Sequence, residues 1–415
     1  MCKQLKNKVI YLLCILAAIA ALSACGGSSS SSNDTVPNTA SIFYAHNLVF
    51  RNSTTLSTGY NGFGQLGTGN LDSRSTAAPL HKYYPFAGTA TGGDHSVAFF
   101  NNSTVRTWGY NGFGQLGNAS TTYSSTPVKT IAISGVTAVA AGAYHSLALR
   151  NDGTISSWGS NSMGQLGVGS LLVPSYSGVP VTVGAATAGA PPNVSAIAAN
   201  GYHSLALANG FVWAWGFNGS GQLGVDPLVT GASAAPLPVG GLSLSGVSAI
   251  AAGGAFNYAV VNGEVWAWGA NDNGQLGNGT TTSSYTPVQV MKDAATPLTD
   301  IVQIAAGIQH GLAKDSQGRV WAWGFNSFGQ LGNYNPLDKN TLLDSLYAVQ
   351  VLMDTATPPT VMSGAAEIRA FGSSSMARIG TVWYAWGDNY YGQLGIGKSG
   401  AENNTVKNPV KMSGY

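Results

Sequence analysis

The sequence predicts an all-β fold: a seven-bladed β-propeller with four short antiparallel strands per blade and a ring closed by its N- and C-terminal segments. Three observations predict it. A nine-residue unit, Gly59-Tyr60-Asn61-Gly62-Phe63-Gly64-Gln65-Leu66-Gly67, recurs with further starts at Gly109, Gly159, Gly216, Gly269, Gly324 and Gly387. Upstream lies an alternating apolar stretch, clearest as Ala140-Ala141-Gly142-Ala143-Tyr144-His145-Ser146-Leu147-Ala148-Leu149, and a period of two reads as a strand. Between the two elements stand Asn151-Asp152-Gly153, Asn209-Gly210 and Asn262-Gly263, residues that accept the positive φ of a tight hairpin.

A fourth short segment often follows proline, as in Thr126-Pro127-Val128 and Thr286-Pro287-Val288. A four-stranded unit of this size cannot bury both faces alone, whereas seven arranged radially bury each sheet against its neighbours. The first repeat starts at Ser41 and the last ends near Met412. Closure therefore predicts residues 42–50 and 405–413 in the same or adjacent blades. Within the frame, the glycines supply tight turns and the leucine anchors the loop in the core. Asn61 and its equivalents are expected to bond local backbone. Gln65, Gln115, Gln165, Gln222, Gln275, Gln330 and Gln393 are expected to tie blade to blade through their side-chain amides.

Ahead of the repeats, Lys3, Lys6 and Lys8 precede an uncharged apolar run from Val9 to Leu22. At roughly 21 Å as a helix, that run is short for a ~30 Å hydrocarbon core and reads as a secretory signal, residues 1–24. Residues 26–32 form a Gly/Ser tract, so 25–40 read as a flexible tether to a propeller of residues 41–415. Cys2, Cys14 and Cys25 are the only cysteines and all lie in or beside the leader, which leaves the propeller no thiolate metal site. The chain carries 18 basic and 16 acidic residues, and losing the three leader lysines leaves it near neutral. A basic footprint for nucleic acid is missing. Only 8% of residues are charged, so solubility falls to Asn, Ser, Thr, Gln and exposed backbone.

Two resemblances add to this. Leu22-Ser23-Ala24-Cys25 resembles the bacterial lipobox, which implies a diacylglyceryl and palmitate-bearing Cys25 as first mature residue. With no Asp after it, such a lipoprotein is implied to reach the outer membrane where the host has one. The repeats, essentially residues 41–413, resemble the regulator-of-chromosome-condensation repeat family, with its A-A-G-x-x-H-S-L-A-L and V-W-x-W-G-x-N-x-x-G-Q-L-G elements. The family fold is a seven-bladed propeller, and the count here matches.

Five histidines, His46, His95, His145, His203 and His310, occupy one repeat position, filled elsewhere by Phe256 and Ser374. One per blade, they read as scaffold and not as a converging metal or acid–base site. Acidic residues are scattered, no nucleophile or phosphate-loop motif is present, and no catalytic residue or cofactor is expected. The informative positions are the variable ones just before Gly-Gln-Leu-Gly: Phe63, Phe113, Met163, Ser220, Asn273, Phe328 and Tyr391. Their bulky members fall on repeats 6, 7, 1 and 2, with Tyr60, Tyr110, Phe325 and Tyr390 nearby, an aromatic arc suited to a protein-binding hot spot. Packing of these rings into gaps between blades is the competing explanation. Long loops at 170–192, 225–240 and 333–363 compete as recognition elements, and Leu337–Met353 has the composition of a short helix.

The leading expectation is a monomeric, lipid-anchored module that binds a protein, with membrane contact through the anchor alone. The family's namesake implies an alternative, guanine-nucleotide exchange on a small GTPase, and the family resemblance also includes a bacterial β-lactamase inhibitor. A carbohydrate-binding or carbohydrate-acting propeller is the third reading, and it lacks a sequence-adjacent carboxylate pair.

Overall fold

The computed structural model describes residues 45–413 apart from 52–53, 171–175, 185–190, 243, 336–341, 355 and 357. The leader, Cys25 and the tether lie outside the described residues, as does 41–44 at the start of the first repeat. Seven antiparallel sheets follow one another along the chain, over residues 46–79, 86–129, 136–182, 194–238, 247–289, 301–350 and 365–411, numbered here blades 1 to 7. Each of blades 2–7 has four strands in simple sequential order, and blade 1 shows three among the described residues. In blade 3 the strands are Val136–Ala141, His145–Arg150, Ile155–Ser160 and Tyr176–Thr182. First strands of successive blades contact one another and so surround the axis.

Among the described residues the ring closes by packing of blade 1 on blade 7. Val49, Leu56 and Ala77 of blade 1 share one core with Met376, Trp383, Leu394 and Met412 of blade 7. Arg369 Nη1 donates to the Leu48 carbonyl at 2.9 Å, and the Gly397 N–H to Ser75 at 2.7 Å. The two ends of the repeat array thus occupy adjacent blades, as closure requires.

Why Trp-Gly recurs is visible in the register. In every blade the pairing of third and fourth strands shifts at one place, between Ser157 and Gly159 in blade 3 and between Ala267 and Gly269 in blade 5. The residue inside that bulge, Trp158 or Trp268, is thereby turned into the space between blades and is fully buried. The glycine that follows sits at φ +102° in Gly159 and +111° in Gly269, where a Cβ would also collide with the carbonyl that leads into the adjacent second strand.

The buried tryptophan completes a stitch between neighbours. Trp108, Trp158, Trp215, Trp268, Trp323 and Trp386 each donate the indole N–H, at 2.8–3.1 Å, to the main-chain carbonyl of the preceding blade's glutamine. The same carbonyls accept a second bond from Ser96, Ser146, Ser204, Asn257 and Ser375. That serine or asparagine in turn meets Nε2 of His46, His95, His145, His203 or His310 in the blade before it, at 2.6–3.0 Å. This corrects the expected role of the glutamine amides. Their Oε1 atoms accept the N–H of Phe63, Phe113 and equivalents within their own loops, and it is the glutamine backbone that joins blades. Gln65 also reaches the next blade through its amide, Nε2 donating to Asp94 at 3.2 Å.

Blade 5 shows that the stitch is a unit. Phe256 stands where five other blades have histidine, and its would-be partner in blade 6 is Gly311, which has no hydroxyl. The hydroxyl that Gln275 would have received from that position comes instead from Tyr258, whose Oη donates to the Gln275 carbonyl. A Cβ on Gly311 would strike that phenol and the Trp323 ring.

The expected helix over Leu337–Met353 is corrected. Ser345–Gln350 is the fourth strand of blade 6, paired with Trp321–Gly324, and 336–341 lie outside the described residues. The open edge of the third strand, with its unpaired backbone groups, outweighs local helical propensity. Helical turns among the described residues are two short 3₁₀ pieces, Val239–Leu242 and Ala401–Asn403.

Gly311→Ser alone is expected to cost about 2–4 kcal/mol through overpacking. Adding Tyr258→Leu vacates the space and restores the standard pairing, so the double variant recovers most of the loss in a urea-unfolding cycle. Simple additivity of the two costs would contradict the coupling.

Candidate functional site

In each blade, the loop between strands one and two and the loop between strands three and four leave from the same end of the sheet. The two are bonded to each other: Tyr110 N–H to Asp94, Ser160 to Tyr144, Phe217 to Tyr202, all at 2.8–2.9 Å. Seven such pairs form the inner rim of one face. The second loop of each pair is held by its buried asparagine. Asn61 Oδ1 accepts the Leu66 N–H at 2.8 Å, and its Nδ2 donates to the carbonyls of Asn70 and Asp72 at 3.0 and 3.1 Å. Residues that vary on this rim therefore stand on a fixed base.

Two groups of aromatic rings lie there. Tyr390, Tyr391 and Tyr60 form one, with centroids 4.9 and 5.0 Å apart across the junction of blades 7 and 1. Phe63, Tyr110, Phe113, Tyr144 and Tyr202 form the other, at 4.9–6.3 Å, and run over blades 1 to 4. All are partly buried except Tyr390, which is exposed. The rings of Tyr60, Tyr110 and Phe217 lie on Gly62, Gly112 and Gly219 of their own loops, where any Cβ would collide with them.

Near the first group is Asp94, 3% exposed, whose main-chain carbonyl takes the Tyr110 N–H. Gln65 Nε2 donates to its Oδ1, and among the described residues it has no cationic partner. Burial pushes its carboxyl up to about 7. Asp388, 5% exposed, caps the Tyr390 N–H at 3.0 Å, and burial raises its pKa too. Tyr60 and Tyr391 are both raised, first by burial and then by neighbouring charge that includes Asp94. The carboxylates of blades 2 and 7, 294 residues apart in sequence, thus act on one tyrosine, Tyr391.

The model of the regulator of chromosome condensation (RCC1) repeat matches residues 104–149, 152–207, 209–260, 262–313 and 317–358. The chain belongs to the RCC1-repeat family. It is 33% identical over 221 residues to the RCC1 domain-containing protein RUG3, mitochondrial, and 32% identical over 214 to the ultraviolet-B receptor UVR8, both from Arabidopsis thaliana. Those matches cover 49% and 50% of this chain and 44% of each relative, so the chain spans less than half the length of the curated relatives it matches. Among solved structures it resembles human WBSCR16, with a TM-score of 0.71 at 21% identity over 86% of this chain and 94% of that one. It also resembles Prp20p from Saccharomyces cerevisiae, with a TM-score of 0.70 at 22% identity over 92% and 91%. At these identities the structural likeness establishes the RCC1-type propeller and nothing further.

In this RCC1-repeat propeller the rim brings together Tyr60, Phe63, Tyr110, Phe113, Tyr390 and Tyr391. Met163 is on the same rim, while Phe325 pairs with Phe328 at 6.1 Å, apart from the two ring groups. The rings in mutual contact thus fall in one group at the junction of blades 7 and 1 and one over blades 1 to 4, with the Phe325–Phe328 pair of blade 6 separate from both. Both explanations of these rings have substance, because Phe63 and Phe113 reach across blade junctions and still keep part of their surface open. Sequence reasoning missed Asp94, Tyr144, Tyr202 and Asp388. Comparing the residue before each repeat histidine, column by column, would have shown the first three as irregular against Ala45, Ala255 and Ser373.

The five repeat histidines are each committed to a different neighbour, and no three metal-binding side chains converge among the described residues. Each serine already donates its proton to a glutamine carbonyl, so its oxygen can only accept from the imidazole. Asn257 Oδ1 imposes the same on His203. All five are thus neutral Nε2–H tautomers, with pKa lowered by burial to about 3, or about 4 for His203.

Below the ordinary value of 6.5 the unfolded chain takes up protons at these imidazoles that the native ring refuses. Their contribution to stability is complete above pH 6.5 and is lost as pH falls toward 3. Asp94 opposes them by one group between 3.8 and 7, because it stays protonated when folded and ionises when unfolded. The net uptake on unfolding approaches about four protons near pH 5, a steep dependence. Urea midpoints should fall sharply between pH 6.5 and 4.5, and a flat profile would contradict buried neutral imidazoles.

Proposed function

We propose that this RCC1-repeat propeller is a protein-binding module, held to the cell envelope through a lipid on Cys25 and presenting the inner rim to its partner. The observation that carries the reading is the band of partly open rings from Tyr390 to Tyr202, set on loops that asparagine side chains hold in place. Aromatic side chains on a rigid base lose little entropy on binding and supply most of the energy at protein interfaces. The sevenfold residues are used up in joining blades, which leaves recognition to the positions that differ from blade to blade. The leader pattern supports export, and by its resemblance an outer-membrane anchor where the host has two membranes.

Nucleotide exchange on a small GTPase rests on family membership alone; the yeast relative Prp20p is itself a protein with binding properties toward Gsp1p and histones. The carbohydrate reading gains one specific observation, the tyrosines flanking Asp94 and Asp388. Glycan-array binding by the full chain would favour it.

A photo-crosslinking residue placed at Phe113 of the full chain is expected to capture the envelope partner, and the same group at Asp152, at the opposite end of blade 3, is not. Phe63→Ala, Phe113→Ala and Tyr391→Ala together should weaken binding by on the order of 2–4 kcal/mol with folding retained. Undiminished binding by that triple variant removes the rim from consideration. Cys25→Ser is expected to abolish labelling by radioactive palmitate and move the chain to the soluble fraction; continued membrane sedimentation in the absence of label would refute the anchor.

A further inference from the structure

We propose that Asp94 receives a guanidinium group, an arginine side chain presented by the partner. The inference rests on the reading of this rim as a protein-binding surface, and it specifies the chemistry of what is bound.

Three observations lead to it. The first is the charge of the rim. Along the inner edge of this face, residues 92–94, 142–144, 201–202, 253–255, 307–309 and 372–373 with 60–63, 110–113, 160–163, 217–220, 270–273, 325–328 and 388–391, the charged residues are Asp94, Asp272 and Asp388. Cations lie farther along the same loops and the strands they enter, at Arg74, Lys398 and Lys407, or beside the opposite turns, as with Arg150, Arg319 and Arg378. An inner edge whose fixed charges are acidic complements a basic group and repels an acidic one.

The second is the state of Asp94. A carboxyl only 3% exposed ordinarily sits against a cation or several donors, but here one oxygen takes a single bond from Gln65 and the other has no partner among the described residues. The carboxyl responds by holding its proton, and a cation seated beside it would instead stabilise the ionised form.

The third is the setting. Tyr60 and Tyr391, their rings tilted by 58°, are near enough for the Asp94 charge to act on both, and Tyr110, whose ring meets Phe63, donates its N–H to the Asp94 carbonyl. A planar guanidinium can lie on a ring face while its N–H fork meets a carboxylate, a combination that an ammonium matches less well. The titratable groups that Asp94 acts on are Tyr60 and Tyr391, Asp388 acts on Tyr391 as well, and the buried neutral imidazoles of His46 and His95 lie on the adjoining strands. None of these supplies a positive charge at neutral pH.

Balance of protons gives the test its signature. When a guanidinium enters while Asp94 is protonated, the proton leaves Asp94 for solvent and the carboxylate pairs with the cation. Full chain is titrated by calorimetry with the peptide acetyl-Gly-Ser-Xaa-Ser-Gly-amide, Xaa being arginine, lysine or citrulline, in buffers of different ionisation enthalpy. Arginine is expected to bind best, lysine several-fold more weakly, and neutral citrulline not measurably. At pH 6.5 the arginine peptide should release most of one proton, and its affinity should rise between pH 6 and 8. Asp94→Asn should weaken it about tenfold and abolish the proton release, with the thermal midpoint reported alongside to show that the ring is intact.

Equal binding of arginine and citrulline, or proton release that survives Asp94→Asn, overturns the inference. If Phe63→Ala, Phe113→Ala and Tyr391→Ala still weaken binding of the partner in that event, the rim remains a binding surface and only its arginine specificity is lost. Loss of neither would remove both.

Discussion

One buried carbonyl governs this architecture. At six of seven junctions the glutamine of the Gly-Gln-Leu-Gly turn turns its main-chain oxygen into the gap between blades, where water cannot reach it. An unpaired acceptor there costs about 1–3 kcal/mol, and the next blade answers with an indole N–H and, at five of those junctions, a second donor from serine or asparagine. Trp-Gly, His-Ser and Gly-Gln-Leu-Gly, which look like three separate signatures, are the parts of one contact. The bulge aims the tryptophan, the histidine orients the serine, and the turn exposes the carbonyl. Phe256, Gly311 and Tyr258 depart from the pattern together because removing one part makes the next pointless.

The seventh junction is built differently. Blade 1 has Thr58 in the tryptophan slot and blade 7 has Ser374 in the histidine position. Thr58 Oγ1 bonds the Gly392 carbonyl at 2.8 Å, Met412 shares the gap, and Arg369 crosses to Leu48 while lying over Trp383. The same junction carries Tyr60 on Tyr391, and both Asp388 and Asp94 act on that pair. Closure and the most distinctive surface of the rim therefore coincide where the repeat is least regular. A place freed from the shared contact can carry residues that serve recognition.

Much of the fold was legible because each blade repeats its own instructions. Seven glycine-rich turns counted the blades, the alternating stretch preceding each one marked the strands, and Asn-Gly pairs at 209–210 and 262–263 gave the hairpins that φ values of +51° and +52° at the asparagines bear out. What escaped were features decided by direction or by distance. A sequence shows a glutamine but not whether its amide or its backbone faces the neighbour. Leu337–Met353 has helical composition, yet an open sheet edge claims Ser345–Gln350. Asp94 and Asp388 stand in different repeats at opposite ends of the chain, and only ring closure sets both beside Tyr391. Tyr144 and Tyr202 occupy variable places inside the strand element, where the shared residues on either side make any ring look like scaffold.

If the carbonyl contacts bind the blades into one closed, mutually dependent ring, their protons must be released together. Hydrogen exchange at the indole N–H groups of the intact chain, followed by NMR, reads this directly. Trp108, Trp158, Trp215, Trp268, Trp323 and Trp386 should exchange at one common slow rate set by global unfolding, well behind the partly buried Trp213, Trp266 and Trp321. Six widely separated rates, each blade opening by itself, would contradict the account.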